Sequence, residues 1–149
     1  MIDMLTLQIL IFIAGIFHIA LVIGSTFIPV LLNWNQELEK VSVLIKQIFW
    51  TYAGYILGTN LCFGLLSVFH TEVLTNGSPL AGYVCLFIAL YWMVRIAVQF
   101  FYFDRPSAPK GFIYDLGEIS LVALFIFFTL VYGYAVYFNF FLADAYFAS

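Results

Sequence analysis

Three side chains with chemical capability sit deep in apolar surroundings: His18, Asn60 and Arg95. A polar group in hydrocarbon costs several kcal/mol unless it has a partner, so each of the three needs either a partner or a task. A neutral imidazole at His18 has the donor atom of an axial ligand to haem iron or chlorophyll magnesium. A bis-histidine haem would need a second histidine at the same depth, and His70 lies at the far end of its apolar run. Arg95, within "YWMVRIAVQFFYFD", offers a charge to a lipid phosphate, a quinone carbonyl or a substrate carboxylate. Each residue also has a purely structural alternative. For His18 it is a hydrogen bond to Asn60, Ser25 or a tyrosine. For Arg95 it is an ion pair with Glu118, with Gln99 completing the hydrogen bonds.

Helical periodicity extends this set. Tyr91, Trp92, Arg95, Gln99 and Tyr102 share one helical face by the three-and-four spacing, and Glu118, Val122, Phe125, Thr129 and Tyr132 share another. The candidate polar core is therefore His18, Asn60, Tyr91, Trp92, Arg95, Gln99 and Glu118, with His18 the one candidate metal ligand. Nothing else in the chain resembles a catalytic set. Cys62 and Cys85 form no C-x-x-C or zinc pattern. Two histidines are too few for a histidine-rich diiron centre. No nucleophile stands beside a base.

The elements that must position these residues follow from composition. The chain has 149 residues, of which 65% are hydrophobic and only 9% charged. A water-soluble domain carries about 25% charged residues, so the surface here is built for lipid. Four apolar stretches, about 5–32, 47–69, 82–103 and 114–142, each reach the roughly 20 residues that a bilayer core requires. Asn76-Gly77 with Pro79, and Pro106 with Pro109, break the chain between them. The expected fold is a single all-α integral membrane domain, a four-transmembrane-helix bundle over residues 1–149.

Lys40, Lys46, Arg105 and Lys110 lie in the first and third loops, and Arg95 points toward that same end. The positive-inside rule places loops 33–46 and 104–113 in the cytoplasm and both termini on the non-cytoplasmic side of a plasma or inner membrane. Met1–Met4 contains Asp3 and no basic residue, unlike the start of a cleavable signal peptide.

Two small-residue faces on the second span bear on partners. Gly54, Gly58 and Cys62 form one, and Ala53, Asn60, Gly64 and Ser67 form the other. Both are expected to pack against helices, Gly58 included. The expected function is that of a non-catalytic subunit in a larger membrane assembly or homo-oligomer, holding a lipid, quinone or pigment. The alternative is a membrane-embedded enzyme or carrier for a lipid, isoprenoid or quinone, working through the polar layer at mid-membrane. Membrane lipids and other membrane subunits, or further copies of the chain, are the expected partners. A net charge of −3 with no basic run gives nucleic acid nothing to bind.

Overall fold

The computed structural model describes residues 3–102 and 111–147, with the side chains of residues 113 and 114 also left aside. Arg105, Lys110 and most of the third loop lie outside these residues. The described chain is all-helical. Helix α1 is Met4–Ser25, followed by the short α2 (Ile28–Leu31) and α3 (Trp34–Leu38). Helix α4 is Val43–Phe69, a 3₁₀ turn covers Val73–Thr75, and α5 is Pro79–Phe101. Helix α6 is Phe112–Tyr137 and runs through a π turn, Phe138–Leu142, into α7 (Ala143–Phe147). Four helical runs are long and apolar enough to cross a membrane: Met4–Leu31, Val43–Phe69, Pro79–Phe101 and Asp115–Phe147.

Local chemistry sets the helix starts. Ser42 caps α4 by accepting from the Ile45 N–H at 3.5 Å, and Ser78 caps α5 by accepting from the Ala81 N–H at 3.2 Å. Pro79 then occupies the first turn of α5, where its missing N–H costs nothing. Between α2 and α3 the chain turns at Asn33, whose φ of 49° is left-handed, a conformation that asparagine tolerates. Trp34 then packs edge-on against Phe49 and Trp50, tying α3 to the start of α4.

The helices pair as two hairpins, α1 with α4 and α5 with α6, joined along α1 and α6. The α1–α4 contact is a close approach of backbones. A Cβ on Gly15 would lie 3.0 Å from the Gly64 carbonyl oxygen and 2.8 Å from a Val68 methyl. A Cβ on Gly64 would lie 2.9 Å from Ile19 and 3.2 Å from the His18 Cβ. Of the two small faces on the second span, the one with Asn60, Gly64 and Ser67 is thus the packed one. The Gly54–Gly58–Cys62 face corrects the expectation: among the described residues a Cβ on Gly54 or Gly58 meets nothing within 4 Å, and Cys62 is exposed. With Gly15 and Gly64 as the crossing point, the 3.6-residue period turns Gly58 away from α1.

The segment between the hairpins is fastened to the last helix. The Asn139 amide, in the π turn, donates to the Leu74 and Ala135 carbonyls, both at 2.8 Å. Its oxygen accepts from the Gly77 N–H at 2.9 Å. Gly77 has φ +74°, and a Cβ there would lie 2.6 Å from Ala143, so the turn requires glycine on both counts. The Cys85 thiol faces the Leu74 carbonyl at 3.6 Å, and Gln8 donates to the Thr75 hydroxyl at 3.1 Å.

Burial is uneven along the bundle. Among the described residues, every buried one falls within 7–18, 60–67, 74–92 or 125–143. These ranges make up the half that holds the termini. Residues 19–59, 93–102 and 111–124, in the half leading to Lys40 and Lys46, contain none. The bundle is packed at its terminal end and spread open at its basic end.

Candidate functional site

The packed half ends on His18. Its ring is fully buried. The Trp92 indole N–H donates to Nε2 at 3.0 Å, so Nε2 must be the bare nitrogen. The proton therefore sits on Nδ1, which donates to the Ala14 carbonyl at 2.8 Å. Phe128 stacks on the ring at 3.8 Å between centroids, and Phe63, Trp92 and Tyr132 meet it edge-on. Trp92 in turn stacks on Phe125 at 4.9 Å. The imidazole is thus held neutral, in one tautomer, inside an aromatic shell. Neither Asn60 nor Ser25 nor a tyrosine is its hydrogen-bond partner, because helical rotation presents Trp92 instead. The Nε2 lone pair that an axial metal bond would use accepts the indole N–H. Among the described residues no group of three or more His, Cys, Asp or Glu side chains could hold a metal ion.

One turn beyond His18, Tyr132 and Ser67 share a buried hydrogen bond of 2.6 Å between α6 and α4. Neither contact stood out in the sequence. A tyrosine and a serine on apolar runs resemble filler until the helix rotations are known.

The other polar residues lie at the edge of the packed half. Asn60 is 7% exposed. Its amide donates to the Ile56 carbonyl one turn back at 3.0 Å, and its buried oxygen accepts no hydrogen bond. An acceptor left in this state costs about 1–3 kcal/mol. Tyr91, on α5, is half-buried. Tyr91 and Trp92, adjacent in sequence, part company here: Trp92 turns inward to His18 and Tyr91 turns to Phe63, 5.3 Å away edge-on. Arg95 lies one turn further along α5, with its guanidinium 5.4 Å from the Phe125 ring centre.

Gln99, the next turn along, donates to the Glu118 carboxylate of α6 at 3.3 Å. The polar groups of the basic half are therefore linked across α5 and α6, and an Arg95–Glu118 ion pair is open to a direct test. Arg95→Leu and Glu118→Leu should be non-additive in thermal stability, with a coupling energy of about 0.5–3 kcal/mol. Strict additivity in a double-mutant cycle would eliminate the pair.

On the far side of the basic half, α1 and α6 leave an apolar groove of about 410 Å³, lined by Phe17, Leu21, Ser25, Gly117, Ser120 and Leu124 among others. Among the described residues a Cβ on Gly24 or Gly117 would meet nothing within 4 Å, so small residues keep this groove open.

The seven candidate residues thus divide into two groups. His18 and Trp92 close the packed half, whereas Asn60, Tyr91, Arg95, Gln99 and Glu118 line the start of the open one. No protein-family model matches this chain, and neither the curated proteins nor the solved structures include a match to it.

Proposed function

We propose that the chain is a non-catalytic subunit that completes its basic half by packing within a larger membrane assembly or against copies of itself. The supporting observation is the confinement of buried residues to the terminal half, which leaves open helix faces in the other. Close helix contact in lipid favours small residues, and Gly24, Gly54, Gly58 and Gly117 offer them on open faces of that half. The proposed setting is a plasma or inner membrane, with 33–46 and 104–113 on the cytoplasmic face and both termini outside.

The test is site-specific photocrosslinking in native membranes combined with native mass spectrometry in mild detergent. A photoreactive residue at Gly58 should give one discrete protein adduct, and the purified particle should exceed the mass of one chain with lipid. A single-chain mass together with lipid adducts alone would overturn the proposal. Sidedness is checked separately, in a Cys62→Ser background. A cysteine at Glu39 should resist an impermeant thiol reagent applied to intact cells, and ready labelling would invert the topology.

A second reading is favoured by one observation, the unpartnered oxygen of Asn60 at the edge of the open half. In it the chain is a membrane-embedded carrier or enzyme for a lipid, isoprenoid or quinone, acting through Asn60, Tyr91 and Arg95.

A further inference from the structure

We propose that Asn76 is a spontaneous modification site, converted to aspartate and isoaspartate through a cyclic imide, and that the Asn139 amide holds this reaction back.

The first constraint is the residue pair. The chain has five asparagines, and Asn76 alone is followed by glycine. Imide formation requires the next backbone nitrogen to close onto the side-chain carbonyl carbon, and a Cβ on that next residue crowds the approach. Gly77 has no Cβ. Asn76 is exposed in the turn between two spans, so water reaches it.

The second constraint is hydrogen bonding. The Ser78 N–H donates to Asn76 Oδ1 at 2.9 Å. That bond polarises the side-chain carbonyl and stabilises negative charge on its oxygen as Cγ is attacked. The Gly77 N–H, by contrast, donates to Asn139 Oδ1 at 2.9 Å. Asn139 is itself fixed, because its amide donates to the Leu74 and Ala135 carbonyls. One contact primes the electrophile, and the other restrains the nucleophile.

The third constraint is geometry. Asn76 has ψ 5°. The Gly77 nitrogen is thus nearly eclipsed with the Asn76 nitrogen and stands about a third of a turn away from Cβ. Ring closure rotates it toward Cβ, and that rotation carries the N–H off the Asn139 oxygen. The reaction therefore waits on release of this contact.

Water is the only reagent. The Gly77 nitrogen loses its proton and bonds to Cγ, the bond from Cγ to the amide nitrogen breaks, and ammonia leaves with that proton. Water then opens the imide. Cleavage of the new N–Cγ bond gives aspartate. Cleavage of the original backbone C–N bond gives isoaspartate, which lengthens the backbone by one carbon. The imide nitrogen bears no hydrogen, so while the ring stands Gly77 has nothing to donate to Asn139. Isoaspartate then leaves a longer turn where there is little room, since a Cβ on Gly77 would already lie 2.6 Å from Ala143. Each conversion adds a negative charge and unfastens the turn from the end of the last span.

The test incubates the whole chain in mild detergent near neutral pH. Digestion and electron-transfer mass spectrometry then follow Asn76 and separate aspartate from isoaspartate. Asn139→Leu should convert about tenfold faster than the wild type, the upper end for one net hydrogen bond. Gln8→Ala removes the tie to Thr75 in the same segment and leaves the Gly77 N–H alone, so its rate should match the wild type. Asn33 and Asn35, both exposed, are internal references that should stay intact. A further comparison needs no variant that folds. The wild type unfolded in dodecyl sulfate and urea should convert at least as fast as Asn139→Leu. Equal rates in the folded and unfolded wild type would overturn the proposal, as would conversion of Asn33 or Asn35 ahead of Asn76. Acceleration by Gln8→Ala to the rate of Asn139→Leu would show general loosening of the turn and remove Asn139 as the restraint.

Discussion

Trp92→Ala is expected to lower the stability of the purified protein by about 3 kcal/mol, the low end of the roughly 3–5 kcal/mol range for deleting a buried tryptophan side chain. The low end applies because the unfolded helices stay in lipid, where an apolar side chain loses little on exposure. What is lost is contact. The indole stacks on Phe125 at 4.9 Å, lies 4.8 Å from Phe128 and meets Tyr91 edge-on. The donor to His18 Nε2 goes as well, leaving a fully buried acceptor bare. Trp92→Phe separates the two contributions, since it keeps most of the packing and removes only the N–H. It should cost about 1–3 kcal/mol, the penalty of one buried unsatisfied group. Thermal unfolding followed by circular dichroism in detergent measures both. If Trp92→Phe were as stable as the wild type, the His18 bond would carry no weight and the site would be held by packing alone.

The second large effect concerns helix crossing. Gly64→Leu should cost about 3 kcal/mol, the upper end of the usual range for overpacking. A side chain there meets Ile19, the Gly15 carbonyl and His18, and backbone cannot move aside as a flexible side chain can. Gly58→Leu is the matched control, six residues earlier on the same helix. It should change the stability of the isolated chain by less than about 0.5 kcal/mol, because among the described residues a Cβ there meets nothing within 4 Å. In the assembly proposed above, the same Gly58→Leu should reduce the Gly58 contact. A pattern in which Gly58→Leu destabilises the isolated chain more than Gly64→Leu would reverse the assignment of the two faces.

The four spans were legible in the sequence because hydropathy integrates over about 20 residues and tolerates error at the ends. The helices do extend further at some ends than expected: α4 begins at Val43 and α5 at Pro79, where serine caps start them earlier than hydropathy does. Rotation about each helix axis was not legible. His18 and Trp92 were both read as candidates for the polar core, yet their bond depends on two helices turning toward each other. The Gly54–Gly58 and Ala53–Gly64 stripes looked equivalent for the same reason. Their difference is set by Gly15 on another helix, and a glycine in an apolar run gives no sign of the partner it will meet. Asn139 is a related case. Its role depends on a π turn, one extra residue in the helical repeat that re-aims the side chain, and no simple periodicity foretells it.

The fastening of the inter-hairpin segment by Asn139 also orders events in time. The chain is made from its N-terminus, so α1 and α4 leave the ribosome first and can form their glycine crossing as a pair. Leu74 and Gly77 follow, but the amide that holds them is encoded 65 and 62 residues later, near the end of α6. Until that stretch is synthesised, the segment around Leu74 and Gly77 lacks its fastening, although Trp92 can already bond to His18 across the two hairpins. Fastening of this segment therefore waits for the last part of the chain, and a chain ending before Asn139 would keep the helix contacts between the two hairpins while leaving the Leu74 carbonyl and the Gly77 N–H without the Asn139 amide.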